Sequence, residues 1–470
     1  MNAIISDWYY LPKKYLSTQE LDKLKSDLII TPSNYFQSDN PFAPKVDPKP
    51  IHFYKELNTF IGLPINYGMN KFPNISYEDR TVLGDTLIAP KRADPYHELA
   101  HEQQPRYISD LSKQVGTHFT VQAEAGTGTG KTVSALNVAA DLGRKTLVIV
   151  NLTRLAHQWK EEAVTHLGLR PNQVGIIDKD YFQADRPLVI AVVNSIVNKV
   201  YSKELLDSFG TVIYDESHKY GSYYFSKCIG RFKAAYKIAQ SATVDRKDDT
   251  KKIARYYFGP TRVRLVGTAL PMTLYKVFYD EGYYPDYDLS SRNDRIKALV
   301  EDTARNAYFA RLIHYAYTQG FNIFFVSERV AHIEAMLDLL RQLGIPNREL
   351  GQFTGYKNIN GKKVTTSSTE LKETIKSQVF RILGATYGMM TEGIDAPRYG
   401  IGFDLIPRSD PIGTEQLFGR VRRKYPGRVN SVWCTPIDGA FGSAESNLDS
   451  KLSKIGDRSI TVKIFTGGKL

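Results

Sequence analysis

The chain has 470 residues, and at about 100–200 residues per domain this length predicts two to four domains. Hydrophobic residues make up 42% and charged residues 24%, as in soluble globular proteins, and no apolar stretch approaches the roughly 20 residues that span a bilayer. The two cysteines, Cys228 and Cys434, are too few for a disulfide scaffold or a zinc cluster. The composition therefore excludes a membrane-spanning protein and disfavours redox and structural-metal chemistry.

The charge is basic overall and unevenly distributed. Lys and Arg total 62 against 50 Asp and Glu, a net charge of +12. Residues 1–100 hold 11 basic and 12 acidic side chains, which leaves 51 basic and 38 acidic side chains for residues 101–470. A basic excess favours polyanionic partners such as nucleic acid, but many basic proteins bind no polyanion, so charge alone does not decide the partner.

The first elements in the chain predict a small α+β module over residues 1–95. Thr18 to Ser26 carries Leu21 and Leu24 at helical spacing, and proline-punctuated extended segments follow at residues 27–30 and 51–54. The near-neutral charge of this module favours a reader of substrate shape or a structural cap over a nonspecific nucleic-acid arm.

From Phe119 onward, short apolar runs alternate with helical patterns. This alternation predicts parallel sheets covered on both faces by helices, with strands near residues 119–122, 146–150, 188–193, 211–214, 236–239, 322–327, 380–385, 401–406 and 429–435. A stretch rich in proline, glycine and tyrosine interrupts the pattern. The sequence therefore predicts two doubly wound α/β domains, residues 96–262 and 295–470, joined by an aromatic-rich linker, residues 263–294.

A glycine-rich run between a candidate strand and a helical pattern predicts a phosphate site. Backbone N–H groups of such a loop turn toward phosphate oxygens, the lysine reaches the β- and γ-phosphates, and the following threonine binds Mg²⁺. The residues that fit this pattern are Gly126, Thr127, Gly128, Thr129, Gly130, Lys131 and Thr132. The sequence thus predicts a nucleoside triphosphate site.

An acidic pair follows another candidate strand, residues 211–214. Open α/β sheets place their sites at the carboxyl ends of strands, where Asp215 and Glu216 lie. We expect Asp215 to hold Mg²⁺ and Glu216 to act as the base for the attacking water.

These patterns resemble superfamily 2 helicases and translocases, whose motifs occur in order over residues 104–423. The P-loop resembles the family's Ala-x-Thr-Gly-x-Gly-Lys-Thr, with Ala125 in place of a first glycine, and the run from Asp215 to His218 resembles a DEAH box with serine in place of alanine. The resemblance implies tandem RecA-like domains and use of ATP with Mg²⁺. It also implies adenine recognition by Gln104, although Pro105 departs from the pattern, and coupling roles for Ser241, Thr243 and His218.

The second domain carries the remaining motifs. Residues 416–423 match the family pattern Gln-x-x-Gly-Arg-x-x-Arg, which implies coupling by Gln416 and arginine fingers at Arg420 and Arg423. Guanidinium groups three positions apart on one helix face would stabilise charge on the γ-phosphoryl oxygens, whereas without the other motifs a solvated basic helix face would be favoured. Residues 391–397 resemble the fifth motif, which implies nucleotide or coupling roles for Gly393 and Asp395.

Polar residues after several strands resemble the family's nucleic-acid motifs. Such loops bind phosphates and so grip a strand without much sequence preference, but helix capping is an equally ordinary role for each residue alone. The candidates are Asn151, Thr153, Arg154, Asn194, Ser195 and, in the second domain, Thr386. Trp159 is expected to pack under its helix.

Two segments are candidates for a strand-separating wedge. The first is the aromatic cluster of the predicted linker, for which the neighbouring acidic residues favour interdomain packing over base stacking. Its members are Tyr275, Phe278, Tyr279, Tyr283, Tyr284 and Tyr287. The second is a basic hairpin over residues 356–366 with Asn360 and Gly361 at its turn, which could equally be an ordinary surface hairpin.

The sequence as a whole predicts an ATP-dependent DNA helicase of superfamily 2, phage-type, that acts on forked or branched DNA in recombination, repair or replication. In layout the N-terminal module is similar to accessory domains of phage and poxvirus-type helicases, including phage enzymes that branch-migrate recombination intermediates. We expect a monomer in the cytoplasm, of the host if a phage encodes it, neither secreted nor membrane-bound, with replication or recombination proteins as candidate partners. The alternatives are a double-strand translocase, an RNA helicase or a non-catalytic nucleic-acid scaffold.

Overall fold

The structure is a computed structural model that describes residues 2–31, 49–89, 103–126, 129–241, 251–265, 269–359, 362–365, 380–393, 397–408, 410–457 and 459–466. The chain divides into two compact units. Unit 1 comprises residues 1–37 and 44–267, and unit 2 comprises residues 38–43 and 268–470. No helix of the described residues is both long enough and apolar enough to cross a membrane.

The helices of the described residues, in chain order, are α1 (Thr18–Asp27), α2 (Ile65–Lys71), α3 (Gln104–Thr117), α4 (Lys131–Leu142), α5 (Thr153–Leu167), α6 (Val193–Asn198), α7 (Lys203–Asp207), α8 (Lys251–Phe258), α9 (Arg292–Glu301), α10 (Thr303–Thr318), α11 (Val330–Gln342), α12 (Tyr387–Gly393), α13 (Pro411–Val421) and α14 (Ala444–Ile455).

The strands of the same residues are β1 (Ala3–Ile5), β2 (Tyr9–Pro12), β3 (Ile29–Ile30), β4 (Ile51–His52), β5 (Lys55–Glu56), β6 (Phe60–Leu63), β7 (Tyr77–Asp79), β8 (Val121–Ala125), β9 (Thr146–Val150), β10 (Val174–Ile177), β11 (Leu188–Val192), β12 (Thr211–Tyr214), β13 (Tyr236–Ser241), β14 (Thr261–Leu265), β15 (Met272–Tyr279), β16 (Ile323–Ser327), β17 (Leu350–Phe353), β18 (Tyr356–Ile359), β19 (Lys362–Thr365), β20 (Ile382–Thr386), β21 (Ile401–Asp404), β22 (Ser431–Asp438) and β23 (Ile460–Ile464).

Unit 1 is built on a parallel seven-stranded sheet in the order β10-β11-β9-β12-β13-β8-β14. The central strands β9, β11 and β12 are buried along their whole length, which is why they read as continuous apolar runs. Because all strands run in the same direction, the residues that follow β8, β9, β11, β12 and β13 all lie at one edge, which we call the carboxyl edge of unit 1.

The N-terminal module shares a core with this sheet. Its five-stranded sheet has the order β5-β6-β2-β1-β7. Trp8, just before β2, lies in one buried cluster with Ile149 and Val189 of the parallel sheet, and its Nε1 donates to the Gly230 carbonyl at 3.0 Å. The hydroxyl of Tyr257 on α8 donates to the Asp7 carbonyl at 2.6 Å. The module is therefore a structural part of unit 1.

Unit 2 contains a second parallel seven-stranded sheet, in the order β17-β20-β16-β21-β22-β15-β23. The predicted α/β class with two parallel-sheet domains is thus confirmed. Buried aromatic residues fill its faces, including Phe324, Phe418 and Trp433, whose rings meet edge-to-face.

The predicted linker contains a strand that belongs to unit 2. Residues 272–279 form β15, which pairs along its whole length with β22 and over residues 272–276 with β23. Tyr284 stacks on Phe441 and donates to Asp302 at 2.8 Å, whereas Tyr283 is 84% exposed. Most of the aromatic cluster therefore packs inside unit 2 rather than in a linker between domains.

The predicted hairpin is present as β18 and β19, which pair antiparallel from Tyr356 with Thr365 to Ile359 with Lys362. Its turn residues, Asn360 and Gly361, and Thr366 lie outside the described residues. The hairpin's role as a wedge stays a prediction.

Candidate nucleotide site

The residues predicted to bind phosphate lie between β8 and the first turn of α4. Gly130 precedes α4 with φ of 83°, a left-handed conformation, and a Cβ at this position would lie 2.2 Å from Nε2 of Gln104. Both the backbone conformation and the close approach require glycine here. No side chain caps the N-terminus of α4, so its first N–H groups and its dipole are available for an anion.

Lys131, the first residue of α4, reaches the acidic box. Its Nζ lies 3.1 Å from Oε1 of Glu216, and both side chains are mostly buried. Oε2 of Glu216 lies 3.3 Å from Nδ1 of His218, which in turn lies 2.8 Å from Oγ of the fully buried Ser241. The structure thus connects four predicted residues from three strand ends: Lys131, Glu216, His218 and Ser241.

Asp215 is held from both sides by residues that sequence reasoning did not assign to the site. Trp159 Nε1 donates to its Oδ2 at 2.9 Å, and Gln240 Nε2 donates to its Oδ1 at 3.2 Å. Gln240 could have been suspected because it directly precedes Ser241 on β13. Trp159 gave no comparable signal, because only the tertiary fold brings α5 against the end of β12.

Burial and charge act differently on the two carboxyl groups. Burial and the neighbouring Glu216 raise the pKa of Asp215 above its usual value, against the opposing effects of Lys131 and Trp159. Burial also acts to raise the pKa of Glu216, but Lys131 and His218 outweigh it and hold that pKa well below its usual range. Glu216 is therefore ionised in this arrangement. Asp215 is harder to ionise, and a cation bound beside it would favour its ionised form.

The donors present fit Mg²⁺ bound together with nucleotide phosphates. Magnesium in phosphate-transfer sites uses one or two protein oxygens and completes its shell with phosphate and water. Asp215 at the end of β12 and the Thr132 hydroxyl on the first turn of α4 are such donors. Thr129 stabilises the loop from within, because its Oγ1 donates to the Gly126 carbonyl at 2.8 Å.

Gln104 is the first residue of α3, and the deviation at Pro105 is accommodated because proline takes the first turn of that helix. Its Nε2 donates to the Gly130 carbonyl at 3.0 Å and to Ser134 Oγ at 3.3 Å. The side chain is thus placed beside the phosphate loop, while its role with adenine stays a prediction. Three other predicted site residues, Thr127, Gly128 and Thr243, lie outside the described residues.

The nucleic-acid candidates of unit 1 share the carboxyl edge with the nucleotide site. Asn151 follows β9, and Thr153 and Arg154 begin α5, with Thr153 exposed and the other two half-buried. On α6, Asn194 is exposed, whereas Ser195 is buried and its carbonyl accepts from the Tyr201 hydroxyl at 3.0 Å. Asn151, Thr153, Arg154 and Asn194 therefore have the accessible side chains of this set.

The candidates of unit 2 cluster around α12 and α13. Thr386 ends β20, Gly393 ends α12, and Nη2 of Arg420 donates to the Thr391 carbonyl at 2.6 Å. Gln416 lies half-buried on α13. Asp395 lies outside the described residues.

One detail of the arginine motif differs from the prediction. The helix α13 ends at Val421, so Arg420 and Arg423 do not share one helix face. The chain departs because Tyr425 precedes Pro426, a context that disfavours helix, and because the side chain of Arg422 is tied to the Leu270 carbonyl at 2.7 Å. Arg423 is half-buried past the helix end, and burial lowers its pKa to about 10, which leaves it charged at neutral pH.

Several known proteins are similar to this chain in sequence. Residues 98–246 match the family described as type III restriction enzyme, res subunit. The mimivirus protein L396, whose name assigns it to ATP-dependent RNA helicases, is 26% identical over 88% of this chain and 78% of its own length. Protein D10 of Escherichia phage T5, named as a helicase, is 28% identical over 65% of each chain.

Solved structures with the same fold include an HsdR fragment of a type I restriction enzyme from Vibrio vulnificus, with TM-score 0.55 and 19% identity over 80% of this chain and 71% of that one. The yeast protein Dbp5 bound to RNA and ADP BeF3 has TM-score 0.51 and 14% identity, over 78% of this chain and 90% of that one. These likenesses show the fold of tandem RecA-like domains. The family match over residues 98–246 and the viral and phage relatives, together with the ordered motifs, support a helicase of superfamily 2 type.

Proposed function

We propose that this protein is an Mg²⁺-dependent ATPase, stimulated by nucleic acid, that translocates on DNA and unwinds or branch-migrates forked and branched DNA. The observation that carries the proposal is the 3.1 Å contact between Lys131 and Glu216 at the N-terminus of α4, beside Asp215. A phosphate-binding lysine, a metal-binding carboxylate and an ionised base at one strand edge are the groups that hydrolysis of a nucleoside triphosphate needs.

The chemistry follows from the residues of unit 1. Bound Mg²⁺ would neutralise charge on the β- and γ-phosphate oxygens. Asp215 and Thr132 would hold that ion. Lys131 would break its contact with Glu216 and bind the γ-phosphate instead. Glu216 would then accept a proton from the attacking water, while its contact with His218, which is linked to Ser241, keeps the carboxylate oriented. Gln104 would orient the adenine beside the loop.

The arginines of unit 2 supply the remaining charge in this proposal. Arg420 and Arg423 would stabilise negative charge that develops on the γ-phosphoryl oxygens. Gly393 and Asp395 would contact the nucleotide, and Gln416 would couple hydrolysis to movement on nucleic acid. Replacing Arg423 with alanine should leave ATP binding intact and remove most turnover, whereas Arg348→Ala, at an exposed site on unit 2, should leave turnover unchanged.

The grip on nucleic acid is proposed at the carboxyl edge of unit 1 and at Thr386 of unit 2. The N-terminus of α5 has no side-chain cap, so its N–H groups together with Thr153 and Arg154 can bind a phosphate. Contacts of this kind read the backbone and carry little sequence preference. Two grips that alternate as ATP is bound and hydrolysed would move the protein along a strand.

RNA is the second candidate substrate, because the mimivirus relative that covers 88% of this chain is named as an RNA helicase. Backbone contacts alone do not separate DNA from RNA, since the 2′-hydroxyl is what distinguishes them. Another relative, Rad25 of Haloarcula marismortui, is named as a DNA 3'-5' helicase, so the names of the relatives include both substrates.

The experiment that tests the substrate is ATP hydrolysis by the purified protein without nucleic acid and with single-stranded DNA, duplex, forked DNA, a four-way junction and RNA, at one fixed salt concentration. The proposal predicts the highest turnover with forks and junctions. Highest turnover with RNA or with plain duplex would retain the motor and overturn the branched-DNA assignment.

A further inference from the structure

The hydrogen bond between Trp159 and Asp215 connects two parts of unit 1 that serve different ligands in the proposed function. Trp159 is 2% exposed and Asp215 is 8% exposed, so water does not compete for the 2.9 Å bond. The indole N–H is a donor with no acceptor capacity, and one carboxylate oxygen, Oδ2, receives it. The other oxygen, Oδ1, accepts from Gln240 and from the backbone N–H of Glu216 at 3.0 Å.

The tryptophan stands on the same helix as two nucleic-acid candidates. Thr153 and Arg154 form the first turn of α5, and Trp159 follows within two turns, about 9 Å along the axis. Ala156, Trp159 and Ala163 are buried on the inner face of this helix against the core of the parallel sheet. A displacement of the start of α5 therefore moves the indole N–H as part of one rigid element.

We propose that Trp159 is a positioning residue that connects nucleic-acid engagement at the start of α5 to the orientation of the metal-binding carboxylate Asp215. The inference rests on the proposed function, since it assumes that Asp215 binds Mg²⁺ and that α5 contacts nucleic acid. Mg²⁺ demands near-ideal octahedral geometry, so the rotation of a ligating carboxylate determines how well the ion is held. Outer partners of metal ligands typically change metal affinity or activity 10–100-fold when removed.

The chain offers a matched control at Trp433 of unit 2. Trp433 is 1% exposed, and its Nε1 donates to Thr435 Oγ1 at 3.0 Å, so Trp433→Phe removes the same volume and the same kind of donor away from the carboxylate pair. Trp159→Phe removes the donor to Asp215. A third variant places at position 159 a tryptophan analogue with sulfur in place of the indole N–H, which keeps the ring shape and loses only the donor.

The first measurement needs no turnover. The sequence has three tryptophans, Trp8, Trp159 and Trp433, so a ¹⁵N-labelled sample has three indole N–H resonances that the Phe variants assign. Adding single-stranded DNA should shift the Trp159 resonance, and adding Mg²⁺ with a non-hydrolysable ATP analogue should shift it further, while the Trp433 resonance stays in place. A Trp159 resonance that does not respond to DNA overturns the inference.

The second measurement is the Mg²⁺ concentration that gives half-maximal ATP hydrolysis, with and without single-stranded DNA. Trp159→Phe and the sulfur analogue should raise this concentration at least tenfold and reduce the stimulation by DNA, with DNA binding in the absence of nucleotide unchanged. Trp433→Phe should have the same half-maximal Mg²⁺ concentration and the same stimulation by DNA as the unmodified protein. If the sulfur analogue keeps the normal Mg²⁺ dependence, Trp159 serves packing only. Persistence of hydrolysis in Lys131→Ala would instead refute the proposed function itself, so the two failures are distinguishable.

Discussion

Glu216 combines a strained backbone with the chemical role proposed for it. Among the described residues it is the one non-glycine residue with positive φ, at 49°. Such a conformation costs about 1–3 kcal/mol for a residue with a side chain and tends to occur at functional sites. The carboxylate of this residue, just after β12, contacts Lys131.

Two substitutions separate the strain at this position from its chemistry. Glu216→Gln and Glu216→Gly should both bind ATP and both lose turnover, because neither side chain can accept the proton. The glycine variant should be more stable than the glutamine variant by about 1 kcal/mol, because glycine adopts positive φ without cost. Turnover assays and urea unfolding measure the two effects. Wild-type turnover in Glu216→Gln would show that another residue is the base.

Gly130 is predicted to tolerate no side chain. Gly130→Ala should reduce nucleotide affinity at least tenfold, because the new Cβ would collide with Gln104 Nε2 and the residue would be strained at φ of 83°. Gly116→Ala is the control, since Gly116 is exposed on α3 with nothing within 4 Å of a Cβ, and it should leave affinity unchanged and stability slightly higher. Titration with a fluorescent ATP analogue measures both. Equal affinities in the two variants would contradict the loop geometry.

The helix α11 of unit 2 is held in place by a buried neutral histidine. Nε2 of His332 lies 2.8 Å from Oδ1 of Asn306 on α10, and its Nδ1 lies 2.9 Å from Oγ of Ser327 at the end of β16. Burial, with a contribution from Arg305, lowers the pKa of His332 to about 3. The folded state therefore resists protonation that the unfolded chain accepts from about pH 6.5 downward.

This linkage predicts that unit 2 loses stability as pH falls from 6.5 toward 3. The stability advantage of the unmodified protein over His332→Leu should shrink by about 1.4 kcal/mol per pH unit over that range, and it should be constant above pH 7. The raised pKa of the buried Asp404 makes the folded state more stable as pH falls, but this contribution is the same in both proteins and cancels in the difference. Hydrogen exchange of α11, corrected for intrinsic rates, measures the difference. A pH-independent difference would refute the neutral assignment.

Elements with a clear apolar pattern could be predicted from the sequence, and those without one could not. The runs at Thr146–Val150 and Thr211–Tyr214 match β9 and β12 residue for residue, because strands buried on both faces are continuously apolar. The strand β15 was assigned to a linker because its Lys276 and tyrosines sit in a stretch rich in proline and glycine. Lys276 is accommodated in the sheet because Glu445 and Asp449 each lie 2.8 Å from its Nζ.

The positions of several site candidates could also be predicted from the sequence, whereas their roles stay predictions. Five candidates lie together at the carboxyl edge of unit 1 because each follows or ends a parallel strand, and this position can be predicted from the order of strands in the sequence. They are Lys131, Asp215, Glu216, His218 and Ser241. Trp159 and Gln240 act through tertiary contacts with Asp215. The prediction that Arg420 and Arg423 share one helix face was wrong because the helix ends at Val421. The sequence contains a signal for this end, the proline at position 426.

The N-terminal module and the first parallel sheet are expected to unfold together. Trp8→Ala should destabilise unit 1 by about 3–5 kcal/mol, because it removes a buried ring. The centroid of that ring lies 5.3 Å from the ring centroid of Phe53 and 5.9 Å from that of Tyr257. Hydrogen-exchange protection of β1, β2, β9 and β11 should fall in parallel. Loss of protection confined to β1 and β2 would show instead that the module folds separately.

We propose that the Lys131 and Glu216 site converts ATP hydrolysis into work on nucleic acid. Phosphate release from ATP by the unmodified protein and by Lys131→Ala, each with and without single-stranded DNA, tests this. We expect turnover that DNA raises at least tenfold in the unmodified protein and no turnover in Lys131→Ala, which still binds DNA. Equal phosphate release by the two proteins, or none by either under conditions where DNA binds, would contradict it.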